Sequence, residues 1–182
     1  MATIQCDILL TGGRVIDGTG APARAADVAI RGDRIVGVGT LTEVAAARRI
    51  DVSGRVVAPG FIDAHTHDDN ALLRMPDMTM KASQGVTTVI VGNCGVSLAP
   101  LLPDRAPPPP LDLLGDRGEY RFARFRDYLD ALDAAPPAVN AACLVGHTTL
   151  RAGVMDRFDR PATRDEIRQM QARLEEAMTA GA

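Results

Sequence analysis

The sequence predicts an α/β fold in which a small β unit precedes a region of alternating strands and helices. Short β-branched runs separated by glycine-containing turns occupy the first third of the chain, and such runs indicate strands joined by hairpins. From residue 61 onward, apolar strands alternate with amphipathic helices, an order typical of parallel strands joined by helical crossovers. We therefore predict a β unit at residues 1–58 and an α/β region at residues 59–182.

The β unit is predicted from pairs of apolar runs on either side of tight turns. The paired runs are 8–10 with 14–16, 27–31 with 34–38, and 50–52 with 56–57, and the turns between them are Gly12-Gly13, Gly32-Asp33 and Ser53-Gly54. A two-residue turn that contains glycine is a strong hairpin signal, because glycine adopts the positive φ that such turns need. We expect a small, mostly antiparallel β unit.

The α/β region is predicted from three apolar runs and three helical patterns. Strands are predicted at 61–67, 86–92 and 141–145, helices at 76–84, 120–135 and 164–180, and a loop at 100–118. The run at 86–92 is almost entirely β-branched, as expected for a strand buried on both faces of a parallel sheet. Thr163 and Glu166 have the spacing of a capping box at the start of the last helix. The buried face of that helix is predicted to contain Ile167, Met170, Leu174, Ala177 and Met178.

Composition and charge exclude several classes of partner. The formal net charge is −3, so the chain offers no electrostatic attraction for nucleic acid. No apolar run approaches the length that a bilayer requires, and residues 1–10 lack the segments of a signal peptide. The three cysteines are widely spaced and odd in number, which argues against a disulfide framework. We expect a cytoplasmic protein without membrane or nucleic-acid partners, whose oligomeric state the sequence leaves open.

Two histidines and one cysteine are the candidate metal ligands. His65 and His67 lie two residues apart at the end of a predicted strand, so their side chains share one face and can bind one ion. Asp63 lies on the same face and can orient a ligand. Cys94 follows the second strand of the α/β region, where its thiolate can join the same site. The alternatives are surface histidines and a small buried cysteine.

The remaining cysteines and histidine are assigned other roles. Cys6 and Cys143 lie at or inside predicted strands without a second candidate ligand nearby, so both are predicted to be core residues. His147 follows the third strand, at the same edge as the candidate ligands. A loop histidine bonded to a backbone carbonyl is the simpler interpretation, and a contact with substrate is the alternative. The loop containing Pro107–Pro110 is predicted to be a stiff surface loop or, alternatively, a wall of the substrate pocket.

The candidate ligands are typical of a catalytic metal site. A structural zinc site usually needs four protein ligands with Cys-x-x-Cys spacing, and the sequence has no such spacing. An open site with few protein ligands leaves room for a water molecule, whose pKa a bound metal lowers toward neutrality. This arrangement indicates hydrolysis by a metal-activated water.

Several motifs resemble one enzyme family. Residues 57–67 read Val-Ala-Pro-Gly-Phe-Ile-Asp-Ala-His-Thr-His, which resembles the strand-one signature of the amidohydrolase superfamily. Residues 28–38 resemble part of its N-terminal β-sandwich segment. The motifs at 85–100, which contains Asn93-Cys94-Gly95, at 146–151 and at 160–163 are similar to those of D-aminoacylases, the N-acyl-D-amino acid deacylases.

The resemblance implies a zinc-dependent amide hydrolase on a TIM-like barrel, with a small N-acyl amino acid as substrate. It implies that Cys94 binds the tightly held zinc and that His65 and His67 belong to a weaker neighbouring metal position. In that family, the other zinc ligands and the general-base aspartate come from later barrel strands, so the catalytic base is not identified here.

The resemblance also implies more barrel than the sequence contains. An eight-stranded barrel needs about 250 residues, whereas three barrel strands are predicted here. We therefore expect a truncated chain that is poorly soluble and inactive alone, because its sheet has an open edge and an uncovered apolar face.

Two alternative functions stay open. One is a cyclic-amide hydrolase of the hydantoinase or dihydropyrimidinase kind, which usually bridges two metals with a modified lysine, and the other is a non-catalytic remnant.

Overall fold

The chain divides into two compact units in the computed structural model, which describes residues 4–182. The first unit ends at Pro59, and the second comprises Gly60–Ala182. Residues 1–3, which begin the predicted β unit and the segment assessed for a signal peptide, lie outside the described residues. Among the helices of the described part, none has the length and apolarity needed to cross a membrane.

The first unit is one five-stranded mixed sheet. Its strands are β1 (Ile4–Val15), β2 (Arg24–Arg31), β3 (Arg34–Gly39), β4 (Val44–Asp51) and β5 (Val56–Val57). The order is β3-β2-β1-β4, and β5 also pairs with β1. β2 and β3 pair antiparallel on either side of Gly32-Asp33, which confirms that predicted hairpin. The pairings of β1 with β4 and with β5 are parallel, so the predicted antiparallel sandwich segment is a mixed single sheet within the described residues.

Two of the predicted hairpins in the first unit are wrong. Gly12-Gly13 lies inside the continuous strand β1, where a shift of register against β2 forms an irregularity and Gly12 has a φ of +74°. Ser53-Gly54 does not fold β5 back onto β4, because both strands pair with β1 instead. Glycine marks the position of a backbone irregularity, but the strand partner depends on residues far away in the sequence.

The second unit is built on three parallel strands in the order β6-β7-β8, as the sequence predicts. The strands are β6 (Phe61–Thr66), β7 (Val86–Val91) and β8 (Asn140–Cys143). The helices are α1 (Ala71–Arg74), α2 (Thr79–Ala82), α3 (Phe125–Ala134), α4 (His147–Ala152) and α5 (Arg164–Ala180), with a 3-10 turn at Leu111–Leu114. The central strand β7 buries Val89 and Val91, which share one face, whereas Ile90 on the other face is only partly buried, so the predicted burial of both faces is not confirmed.

Two predicted helices and one predicted loop differ from the elements in the structure. The helix predicted at 76–84 is a single turn, α2, and it is preceded by the unpredicted turn α1. The helix predicted at 120–135 begins only at Phe125, because Phe122 pairs with Leu101 through a backbone hydrogen bond of 2.8 Å. The segment after β8 that was predicted to be a loop forms α4. At Phe122, a tertiary contact overrides the local helical pattern.

The helix α5 has the predicted bounds but not the predicted buried face. Ala177 is fully buried, whereas the side chains of Ile167, Leu174 and Met178 are exposed by 42%, 40% and 61%. The edge strand β6 likewise exposes Phe61. Helical periodicity identifies an apolar face, but it does not show whether another element covers that face.

The start of α5 is fixed by the predicted capping box. The Thr163 hydroxyl accepts a hydrogen bond from the Glu166 backbone N–H (3.2 Å), and the Glu166 carboxylate accepts one from the Thr163 N–H (2.7 Å). The Arg160 guanidinium donates to the same carboxylate at 2.7 and 2.8 Å. The hydrogen bonds from Arg160 and then Thr163 lower the pKa of Glu166 to about 2, so the cap stays ionised at neutral pH.

We predict that Thr163→Ala lowers the free energy of unfolding by about 1 kcal/mol, because the backbone N–H of Glu166 loses its acceptor. Urea unfolding followed by circular dichroism measures this difference. The matched control is Thr179→Ala, which removes an exposed threonine from the same helix and should not destabilise the chain. An equal decrease in the free energy of unfolding in both variants would contradict a specific role for the cap.

Candidate metal centre

The carboxyl ends of β6 and β7 lie side by side because the two strands are parallel neighbours. Thr66, the last residue of β6, is paired with Val91, the last residue of β7. His67 and Cys94 therefore follow the two strand ends at the same edge of the sheet, although 27 residues separate them in the sequence. In open α/β sheets and in barrels, this edge is where active sites lie.

The structure brings together the three residues that the sequence identifies as candidate ligands. His65, His67 and Cys94 each offer one ligand atom, and these atoms all lie within 4.8 Å of one another. The Cys94 Sγ atom is 3.5 Å from His67 Nε2, and the two imidazole rings have centroids 5.9 Å apart. All three residues are exposed, so an ion can reach them from solvent.

The donor set and its spacing fit a transition metal such as zinc. Two imidazoles and one thiol are ligands that zinc prefers, and no other such cluster is found in residues 4–182. Tetrahedral zinc with ordinary Zn–N and Zn–S bonds would place its ligand atoms roughly 3.3–3.6 Å apart. The separation of Cys94 Sγ from His67 Nε2 already has this value, and the ligand atom of His65 lies within 4.8 Å of the other two.

A tight backbone turn presents Cys94. The Gly95 N–H donates to the Gly92 carbonyl oxygen at 3.1 Å, and Gly92 has a φ of +83° that favours glycine. A Cβ atom at Gly92 would overlap the carbonyl oxygen of Leu144. The Asn93 side-chain amide donates to the Ala64 carbonyl oxygen at 2.8 Å, which ties the turn to β6 beside the two histidines. The Asn-Cys-Gly motif therefore supplies both the candidate ligand and the contacts that hold it.

Asp63 is held by Lys81, the only lysine in the sequence. The Lys81 ammonium lies 2.7 Å from Asp63 and 2.9 Å from Asp68, and its side chain is only 19% exposed. Asp63 also accepts a hydrogen bond from the His65 backbone N–H at 3.3 Å, so it contacts the backbone of the candidate ligand. The hydrogen bond from Lys81 lowers the pKa of Asp63 despite partial burial. Lys81 was not identified from the sequence, and no local pattern marks its role, because its partner Asp63 lies 18 residues away.

Asp69 is a second carboxyl group near the candidate ligands, and no local pattern in the sequence marks it. It is buried, and its Oδ1 atom accepts a hydrogen bond from the Leu98 backbone N–H at 3.1 Å. Burial raises the pKa of Asp69 to about 6. Its backbone carbonyl accepts a hydrogen bond from the Tyr128 hydroxyl at 2.9 Å. Asp69 therefore links the segment after His67 to the segment after Cys94.

The other two cysteines are core residues, as predicted. Cys6 and Cys143 are 7% and 8% exposed, whereas Cys94 is exposed. Burial raises the pKa of Cys143 to about 12, so its thiol stays protonated at neutral pH. Cys94 is therefore the cysteine that is available to an ion from solvent.

His147 was predicted to lie in a loop. In the structure it is exposed and is the first residue of helix α4. It is not part of the three-residue cluster. The backbone N–H of its neighbour Thr148 donates to the Gly95 carbonyl oxygen at 2.8 Å, which keeps His147 at the edge where Cys94 lies. Its contact with substrate stays a prediction.

The loop with the consecutive prolines lines a cleft of about 600 Å³ together with α4 and α5 residues. Pro107 and Pro108 contribute to this cleft, as do Arg105 and Arg173. None of the three clustered residues lines it. The loop is thus a wall of a cleft, but the cleft is separate from the candidate metal ligands.

Comparison with known sequences shows a consistent family relationship. The family described as the amidohydrolase family matches residues 48–182. The chain is 63% identical over 97% of its length to a D-aminoacylase of Alcaligenes xylosoxydans xylosoxydans, and 54% identical over its whole length to an N-acyl-D-aspartate deacylase of that organism. It spans about 36% of the length of each of these curated relatives.

Solved structures that are similar to the chain belong to the same group of deacylases. A structure of D-aminoacylase, described by its binuclear metal center, matches 97% of the chain with 64% identity and a TM-score of 0.94. An N-acyl-D-glutamate deacylase from Bordetella bronchiseptica, complexed with zinc and a phosphonate inhibitor, matches 96% of the chain with 46% identity and a TM-score of 0.85. The chain covers 37% and 36% of these two structures.

We predict that Lys81→Met lowers the free energy of unfolding by about 1–3 kcal/mol, because two half-buried carboxylates lose their shared partner. Urea unfolding at neutral pH measures the change. The matched control is Arg124→Met, which breaks an ion pair with Asp127 on the surface, where such pairs contribute little. Lys81 would have no special role if both variants unfolded at the wild-type urea concentration.

Proposed function

Because the chain belongs to the amidohydrolase family, we propose that it provides part of the metal centre of an enzyme that hydrolyses the amide bond of N-acyl-D-amino acids. The observation that carries this proposal is the convergence of His65, His67 and Cys94 at the ends of two parallel strands. The named relatives support the substrate class, since they are deacylases of N-acyl-D-amino acids.

Zinc is the metal that we propose for this site. The zinc-containing N-acyl-D-glutamate deacylase is 46% identical to the chain, and the imidazole and thiol donors suit this ion. When bound, zinc supplies a Lewis acid that polarises an amide carbonyl and lowers the pKa of a water molecule. The related D-aminoacylase structure concerns a binuclear metal center.

The side chains of this chain would hold the metal and orient the substrate. Cys94 is the proposed ligand for the tightly held zinc, and His65 and His67 are the proposed ligands of the neighbouring position. Asp63 fixes the backbone of His65, and Lys81 fixes Asp63. His147, exposed at the start of α4, is the proposed contact for the substrate.

We propose that β6, β7 and β8 are the first three strands of a TIM-like barrel, preceded by the β unit at residues 1–58. Parallel pairing and alternation with helices support this arrangement. The family resemblance implies that the general-base aspartate comes from a later barrel strand than these three, so we expect the 182-residue chain alone to be inactive.

A cyclic-amide hydrolase is the second candidate, and the exposed thiol disfavours it. Cys94 lies where its thiol can hold the metal, whereas enzymes of the hydantoinase kind usually bridge two metals with a modified lysine instead of a cysteine. A non-catalytic remnant is the third candidate, and metal binding distinguishes it.

We expect the metal-free 182-residue chain to bind Zn²⁺ or Co²⁺ through the three clustered residues. Loss of a residue that only hydrogen-bonds to a metal ligand weakens metal binding by roughly 10–100-fold. Cys94→Ala removes a proposed ligand itself, so it should weaken binding by more than this and should remove the sulfur-to-cobalt absorption band. The control is Cys6→Ala, which removes a buried thiol from the first unit and should bind cobalt as the wild type does. Well under one ion per wild-type chain, or an unchanged Cys94→Ala variant, would favour the remnant.

We expect a polypeptide that contains these residues and extends to the length of the curated relatives to hydrolyse N-acetyl-D-amino acids and not hydantoin. Release of free amino acid from D- and L-enantiomers, compared with ring opening of hydantoin, measures this preference. Cys94→Ala should abolish hydrolysis and Cys6→Ala should preserve it, because only Cys94 lies in the cluster. Faster turnover of hydantoin would establish the cyclic-amide alternative instead.

A further inference from the structure

Ser97 and Thr149 form a reciprocal pair of hydrogen bonds behind the candidate metal centre. The Ser97 backbone N–H donates to Thr149 Oγ1 at 2.8 Å, and the Thr149 hydroxyl donates to the Ser97 carbonyl oxygen at 2.9 Å. Ser97 is 2% exposed and Thr149 is fully buried. We call this pair the Ser97–Thr149 clamp. It joins the segment after β7 to helix α4, across 52 residues of sequence.

The Ser97 side chain strengthens the same connection. Its hydroxyl accepts a hydrogen bond from the Gly146 N–H at 2.9 Å and donates to the Ala99 carbonyl oxygen at 2.6 Å. Both hydroxyls of the clamp are therefore donors and acceptors at once. Because they are buried, the backbone groups that they serve would have no water to replace them.

The clamp acts on the turn that carries Cys94. Ser97 is three residues beyond Cys94, and between them the Gly95 carbonyl accepts a hydrogen bond from the Thr148 N–H at 2.8 Å. A Cβ atom at Gly146 would lie 2.5 Å from the same carbonyl oxygen, so the two backbones are in direct contact. On the other side of Cys94, the Leu144 N–H donates to the Val91 carbonyl at 3.0 Å. The turn is thus held on both sides by the segment after β8.

We propose that the Ser97–Thr149 clamp sets the position of the Cys94 thiol and that Thr149 is therefore a positioning residue of the metal centre. This inference rests on the proposed function, because it requires Cys94 to be a metal ligand. Thr148 and Thr149 would then support metal binding without contacting the metal, because they hydrogen-bond to the backbone of Gly95 and Ser97. Without the clamp, the turn keeps its thiol and its other backbone contacts but loses the two hydrogen bonds that join Ser97 to Thr149.

Thr149→Val tests the clamp because valine keeps the shape of threonine and removes its hydroxyl. We expect the variant of the 182-residue chain to bind Co²⁺ about 10–100-fold more weakly than the wild type, with a weaker sulfur-to-cobalt band at saturation. We also expect faster hydrogen exchange at the Ser97 amide, which loses its acceptor. Thr149→Ser restores a hydroxyl and should recover both the affinity and the absorption band.

Two further variants separate positioning from general destabilisation. Ser97→Ala removes only the serine hydroxyl, and it replaces Thr149→Val as the test if that variant does not fold. Thr163→Ala destabilises α5 at a cap whose partners do not include the clamped residues, and it should leave the sulfur-to-cobalt band unchanged. A change in the band common to Thr149→Val and Thr163→Ala would overturn the inference, because it would reflect stability alone.

The outcomes separate this inference from the proposed function. A wild-type chain that gives no sulfur-to-cobalt band would overturn the proposed metal centre and, with it, the role of the clamp. A wild-type band that Thr149→Val and Ser97→Ala leave unchanged would overturn the clamp alone. A band that is weakened in both variants and recovered in Thr149→Ser would establish Thr149 as a positioning residue.

Discussion

Parallel pairing of β6 with β7 and of β7 with β8 is the constraint on which the candidate site depends. Parallel strands end at the same edge of a sheet, so three segments that are distant in the sequence meet there. The paired strand ends place His67 beside Cys94. Hydrogen bonds between the segments then fix the side chains: Asn93 bonds to β6, and Asp69 bonds to the segment after Cys94.

The oxygen donors near the site are paired with a lysine, whereas the nitrogen and sulfur donors are not. The carboxylates of Asp63 and Asp68 are bound to Lys81, whereas the imidazoles of His65 and His67 and the Cys94 thiol face solvent. Oxygen donors favour hard ions such as magnesium and calcium, and nitrogen and sulfur donors favour zinc. By holding the carboxylates, Lys81 leaves the nitrogen and sulfur donors accessible. The preference of the site for zinc would then depend on a residue that does not itself bind the ion.

The sequence predicted those features that depend on short-range patterns. Alternation within β6, the β-branched run of β7 and the capping box of α5 all follow from neighbouring residues, and they placed the three candidate ligands at strand ends. The roles of Lys81, Asp69 and Thr149 were not predictable, because their partners lie 18, 29 and 52 residues away. The partners of β5 and the exposed face of α5 were missed for the same reason. Turn signals and periodicity describe one segment and do not identify what packs against it.

Because Lys81 is the only lysine in the sequence, chemical modification of lysine can be used to follow its ion pairs with Asp63 and Asp68. Reagents that acylate primary amines have one side chain to modify, in addition to the amino terminus. While the ammonium is held between Asp63 and Asp68, it is protonated and therefore a poor nucleophile. The rate at which this amine is labelled consequently reports how often the Lys81 ammonium leaves Asp63, which lies on β6 with His65, and mass spectrometry of one peptide suffices to follow it.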